Sequence, residues 1–184
     1  MDAIKVKDLM VPLQEYAVIS EDATLFEAVT ALEDSRLRFD SRGYRHRAVL
    51  VQDSAGAIVG KLSQWDILCS LEPKYNKIGD LKKLSGFGLS AEFLRSMIDT
   101  YELWQCSLDD LCRKASDVRV GDITSSPTEG EIIGSGASLN QAVHQLIMGH
   151  HQSLLVKHND QVVGILRLSD VFAEVAKRMK ACRM

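Results

Sequence analysis

Two short stretches of this chain place a carboxylate three residues after a group that can meet an anion. Ser63-Gln64-Trp65-Asp66 follows the apolar run Ala57 to Leu62, and Arg167-Leu168-Ser169-Asp170 follows the run Gln161 to Leu166. If each run is a strand and a helix begins just after it, the first turn of that helix has free N–H groups and the positive end of the dipole, which favour phosphate. An ionised Asp offers only acceptors, which suits a diol. The spelling Ser-x-x-Asp is also that of a capping box, in which hydroxyl and carboxylate serve the helix's own backbone, so both readings stand. Arg167 has three options: a phosphate, Asp170, or simply filling the space beside it.

A third chemical feature is the segment Arg36 to Arg47, with five arginines in twelve residues and the aromatics Phe39 and Tyr44. Guanidinium forks match phosphate oxygens, so Arg45 and Arg47 are possible phosphate contacts, while a solvated loop paired with the chain's acids is the plainer reading. No catalytic residue is expected. The chain has no Gly-x-Ser-x-Gly and no Gly-x4-Gly-Lys, and neither Ser63 nor Cys69 has a histidine base indicated nearby. Cys69, Cys106, Cys112 and Cys182 form no Cys-x-x-Cys pair and read as reduced thiols. His144, His150, His151 and His158 make only a weak metal pattern, so no metal is expected.

The elements that must position these residues come in two copies. Val6-Lys7-Asp8-Leu9 stands 114 positions before Val120-Gly121-Asp122-Ile123, and the same offset takes Leu25, Ala28, Val29 and Leu32 onto Leu139, Ala142, Val143 and Leu146. Further on, Ile58-Val59-Gly60, Leu62 and Asp66 stand 104 positions before Val162-Val163-Gly164, Leu166 and Asp170. The ten additional residues of the first copy fall mainly between Arg36 and Arg47, and a loop is where a repeat accepts extra length. Each copy reads strand (Ala17 to Ile19; Ile132-Ile133), then helix, then hairpin, then helix. The first helices open on the capping boxes Thr24-x-x-Glu27 and Ser138-x-x-Gln141 and then carry apolar residues at i, i+3, i+4 and i+7. The hairpins join Ala48–Val51 to Ala57–Leu62 and Ser153–Val156 to Gln161–Leu166, with last helices over about Trp65–Leu71 and Ser169–Lys180.

This predicts an α/β (α+β) fold of two pseudo-symmetric β-α-β-β-α repeats packed sheet to sheet, since one repeat of about 60 residues is marginal alone. The first repeat takes residues 1–71 and the second 118–184. Residues 72–117 belong to neither and read as an inserted helical segment, broken at the front by Gly79, Gly86 and Gly88. Phe93, Leu94, Met97, Ile98, Tyr101 and Trp104 sit there at helical spacing, and Ser107-Leu108-Asp109-Asp110 starts a second helix. Core packing is the expected use of these aromatics, with a partner surface as the alternative.

Bulk composition narrows the function classes. The chain has 184 residues, 46% hydrophobic, with 22 Lys and Arg against 25 Asp and Glu, a formal net charge of -3. That balance gives no footprint for nucleic acid or for a polybasic membrane binder. With no long apolar run and no signal-like N-terminus, the expectation is a soluble cytoplasmic protein.

The paired motifs resemble the CBS domain, named for cystathionine β-synthase, in its tandem (Bateman) arrangement. They are Val6-Lys7-Asp8-Leu9-Met10, Ser20 to Leu25 with Glu27-Ala28, and Gly60 to Asp66, then Val120 to Thr124, Ala137 to Ala142, and Gly164 to Asp170. The resemblance implies a regulatory module that takes an adenosine derivative (AMP, ADP, ATP or S-adenosylmethionine) between the repeats, needs no cofactor, forms a homodimer, and signals to a separate target protein. It implies that Ser63 helps to hold phosphate and that Asp66 and Asp170 accept from ribose. It makes Val18, Ile19, Ala48 and Val49 in repeat 1, and Ile132, Ile133, Leu154 and Leu155 in repeat 2, the candidate segments to sandwich a base, with plain sheet core as the alternative. Arg167 stands where the family has Ser or Thr, which singles out the second copy. A ligand-free interaction scaffold is the competing expectation.

Overall fold

The computed structural model describes residues 3–39, 47–78 and 88–182. Its strands are β1 (Val11–Pro12), β2 (Val18–Ser20), β3 (Ala48–Gln52), β4 (Ile58–Ser63), β5 (Ile132–Gly134), β6 (Ser153–His158) and β7 (Gln161–Arg167). Its helices are α1 (Leu25–Phe39), α2 (Gln64–Leu71), α3 (Ala91–Tyr101), α4 (Leu108–Asp117), α5 (Val120–Ile123), α6 (Leu139–Met148) and α7 (Leu168–Ala181). One sheet runs β2-β3-β4 and the other β1-β7-β6-β5. The α/β repeat grammar is therefore realised twice, strand, helix, hairpin, helix, each time in the predicted order. The chain divides into two compact units: residues 1–18, 50–61 and 125–184, and residues 19–49 and 62–124.

In the first unit β5 runs parallel to β6, pairing Ile132 with Leu155, and β6 runs antiparallel to β7. Asn159 and Asp160 both take positive φ, 46° and 64°, at the tip of that hairpin. A two-residue turn of this hand matches the right-handed twist of its strands, and Asn and Asp tolerate it better than most residues. β1 closes the other edge, pairing Pro12 with Gly164. A Cβ on Gly164 would sit 2.4 Å from the Val11 carbonyl oxygen, so only glycine lets the two backbones approach this closely. α6 and α7 supply Leu139, Ala142, Leu146 and Val171 to a core shared with Val6, Ile133, Leu154, Val156 and Leu166. The capping box of α6 is formed: Ser138 Oγ accepts from Gln141 N, and Gln141 Oε1 accepts from Ser138 N. Lys61 donates to the Ser153 carbonyl at 2.9 Å and pairs with Glu131 at 3.2 Å, tying β4 to the entries of β5 and β6.

The second unit is mainly helical. Thr24 and Glu27 box the start of α1, Thr24 N donating to Glu27 Oε2 at 2.7 Å. α1 buries Leu25, Ala28 and Leu32, the predicted apolar face, and packs on α4. The chain after α4 returns to the start of α1: Leu25 N donates to Val118 O, Val120 N to Ala23 O, and Gly121 N to Glu21 O. α4 begins at Ser107 as expected, with Asp110 completing its box.

α3 departs from expectation in two ways. It ends at Tyr101, where Glu102 takes a left-handed conformation, so Trp104 lies beyond the helix. Its apolar residues are not core: Phe93, Leu94 and Ile98 are 41%, 46% and 48% exposed, and no residue of α3 is buried. Helical spacing shows that residues share a face, but not that anything covers it. Instead, the loops around α3 are fixed by the buried Glu72, whose Oε2 accepts from Trp104 N at 2.8 Å while Trp104 Nε1 donates to the Tyr75 hydroxyl. Gly79 and Gly86 lie outside the described residues.

Candidate functional site

β4 ends at Ser63, which is the N-cap of α2 with extended backbone angles. Ser63 Oγ accepts from Asp66 N at 3.3 Å, while Asp66 Oδ2 accepts from Ser63 N at 2.8 Å and from the Ser63 hydroxyl at 2.5 Å. The capping box is thus formed, and it consumes one carboxylate oxygen. Among the described residues Asp66 Oδ1 has no hydrogen-bond partner. Arg47 joins this site through its backbone, its carbonyl accepting from Gln64 N at 3.1 Å, and it is exposed. A half-used carboxylate therefore stands in the first turn of α2, where the N–H groups of Gln64 and Asp66 are already taken by the Arg47 carbonyl and by Ser63 Oγ. Arg45 lies outside the described residues.

Cys69, one helical turn after Asp66, does not add a nucleophile. Burial pushes its thiol pKa up, and the Asp66 carboxylate pushes it further in the same direction. Both effects deplete the thiolate, the reactive form. Among the described residues no group of three or more His, Cys, Asp and Glu side chains could hold a metal ion. His158 is engaged by Ser135 Oγ at 3.0 Å, and His144 and His151 line a shallow hollow beside Gly130 and Gly149.

The second copy is built differently. Arg167 is the N-cap of α7 but makes no capping bond. Its guanidinium turns onto Asp170, Nε to Oδ2 at 2.7 Å and Nη2 to Oδ1 at 2.5 Å, so both carboxylate oxygens are taken. The pair is largely buried, with side chains 9% and 16% exposed. Of the three uses open to Arg167, the structure shows the contact with Asp170. Tyr16 completes the cluster. Burial raises its hydroxyl pKa to about 12, with the Arg167 charge opposing and the Asp170 charge assisting. No sequence signal marked Tyr16, because it precedes β2 and lies outside every repeated motif.

The apolar site candidates sit deeper than the polar ones. Ala48, Val49, Ile133, Leu154 and Leu155 are buried, and Val18, Ile19 and Ile132 are half-buried. Leu154 and Ile133 belong to the core cluster of the first unit.

With this geometry in view, residues 6–72 match the family model of the CBS domain. The first repeat is a CBS domain. The chain as a whole has the fold of CBS-pair proteins. It aligns over 96% of its length, and 98% of the other chain, with CBSX2 in complex with AMP, at TM-score 0.58 and 20% identity. A CBS domain-containing protein from Bacillus anthracis str. Ames Ancestor gives TM-score 0.63 at 17% identity, with 96% of each chain covered. The CBS domain of a bacterial CNNM/CorC family Mg2+ transporter, in complex with ATP, gives TM-score 0.58 at 17% identity, covering 95% of this chain and 89% of that one. No curated protein matches the chain. Within the CBS domain of repeat 1, the Ser63–Asp66 box is the junction of the last strand and the last helix. No described helix is long and apolar enough to cross a membrane.

Proposed function

We propose that this chain is a regulatory, non-catalytic module that binds an adenosine nucleotide at the start of α2 and passes its state to a separate protein. The observation that carries the reading is the free Oδ1 of Asp66 in the first turn of α2. The free oxygen can accept from a ribose hydroxyl, and the positive end of the α2 dipole suits phosphate. AMP and ATP in two structures of the same fold support the choice of ligand class. AMP, ADP and ATP fit both parts of that chemistry, and S-adenosylmethionine shares the ribose diol without the phosphate. Calorimetric titration with each, run beside Asp66→Ala, tests it. Saturable binding that falls at least about tenfold in the variant is expected, since a lost charge-assisted hydrogen bond costs roughly 1.5–3 kcal/mol. No binding of any of the four by the native chain overturns the reading and leaves the ligand-free scaffold, which the closed Arg167–Asp170 pair favours.

The assembly we propose is a homodimer joined through α6 and α7. Its support is the large apolar surface these helices leave to solvent: Ile147, Met148, Phe172 and Met179 are 61%, 69%, 71% and 70% exposed. Phe172→Glu is expected to shift the chain from dimer to monomer in analytical ultracentrifugation. A native chain that sediments as a monomer, or a variant that stays dimeric, refutes this interface.

A further inference from the structure

The two copies of the strand-to-helix junction differ by one residue type at the N-cap, and the consequence is electrostatic. In repeat 1 the Ser63 side chain satisfies the helix backbone and leaves Asp66 one free oxygen. In repeat 2 the Arg167 side chain makes no cap and occupies both oxygens of Asp170. A ribose hydroxyl is a neutral donor. A bidentate guanidinium is a charged one, roughly twice as strong per bond and held in the geometry a carboxylate prefers. The pair is also mostly out of water, beside the buried Tyr16, so a diol reaching Asp170 would have to displace a buried, two-pronged, charged contact.

We propose that Arg167 is an internal stand-in for ligand that keeps the second junction closed, so that the chain binds one adenosine nucleotide rather than two. This rests on the reading of repeat 1 given above, but it makes a separate statement about repeat 2. Arg167 acts as a specificity-determining residue: it removes the diol acceptor without removing the aspartate. The junction behind it is otherwise intact, since β7 still delivers the chain to the first turn of α7 and Asp170 stands in that turn.

The test is the stoichiometry of AMP binding by calorimetry for the native chain, Arg167→Ser, and Arg167→Ser with Asp170→Asn. Serine restores at repeat 2 the box seen at Ser63 and Asp66, so the helix keeps a cap when it loses the guanidinium. One AMP per native chain, two per Arg167→Ser chain, and a return to one on adding Asp170→Asn are expected. Arg167→Lys serves if the serine variant fails to fold. Its single ammonium reaches one carboxylate oxygen at a time, and a weaker second event is expected there too. Two AMP per native chain, or no added event in any folded Arg167 variant, overturns the proposal. A native chain that binds none while Arg167→Ser binds one would refute the repeat 1 reading, and with it the count of one per native chain, and leave standing the closure of the second junction by Arg167.

Discussion

At the scale of single residues, some polar side chains outside the site hold backbone in place. Glu131 is one, its carboxylate accepting from Thr128 N at 3.1 Å. Burial pushes its carboxyl pKa up, but the Thr128 N–H and the Lys61 ammonium outweigh that and leave it below the ordinary carboxylate value. A carboxylate whose folded pKa is depressed contributes stability above its unfolded pKa, and that contribution is lost as pH falls through the folded value. Glu131→Gln keeps the length and the acceptor that cap Thr128 while deleting the charge seen by Lys61. The native chain is expected to exceed this variant in stability by about 0.5–1 kcal/mol at neutral pH, the scale of a partly exposed ion pair. The difference should shrink, in chemical denaturation, as pH falls through the depressed folded pKa. A difference that persists in acid would mean that the amide disturbs packing and that charge is not the cause.

Elements follow from sequence where their signals are local. The boxes at Thr24, Ser63, Ser107 and Ser138 each spell a helix start, and each is formed. The Asn159-Asp160 turn and the alternation around it fix the second hairpin in the same way. What sequence did not show is tertiary in origin. The face of α3 has the spacing of a buried stripe, yet Phe93, Leu94 and Ile98 are exposed, because burial depends on a neighbour that no local pattern encodes. The choice made by Arg167 was likewise open in sequence. Its spacing from Asp170 allows a contact, and burial favours it because a charge out of water gains most from a hydrogen-bonded counter-charge. Repetition carried the fold further than composition did, since two ordered copies of weak motifs constrain each other while one copy of Ser-x-x-Asp does not distinguish a cap from a ligand site. Ser63 and Asp66 are a cap in this structure, and the second carboxylate oxygen takes no part in it.

At the scale of the whole molecule the question is how much of the chain a ligand at repeat 1 can stabilise. A ligand that binds only the folded state adds RT ln(1 + [L]/Kd), about 2.7 kcal/mol at a hundredfold excess over Kd. For a chain of this size each kcal/mol moves the melting midpoint by about 2–4 °C, so saturating AMP is expected to raise it by about 5–10 °C. Ser63 and Asp66 belong to the unit of residues 19–49 and 62–124. The chain passes from one unit to the other within β2, β3 and β4, so neither unit can unfold without taking strand residues of the same three strands with it. A single calorimetric transition that moves as a whole with AMP is therefore expected, and Asp66→Ala should remove most of the shift. Two transitions, of which only one responds, would show that the units melt independently. The ligand's free energy would then stay local to the unit of residues 19–49 and 62–124, and a signal to a partner would have to leave from the helices of that unit.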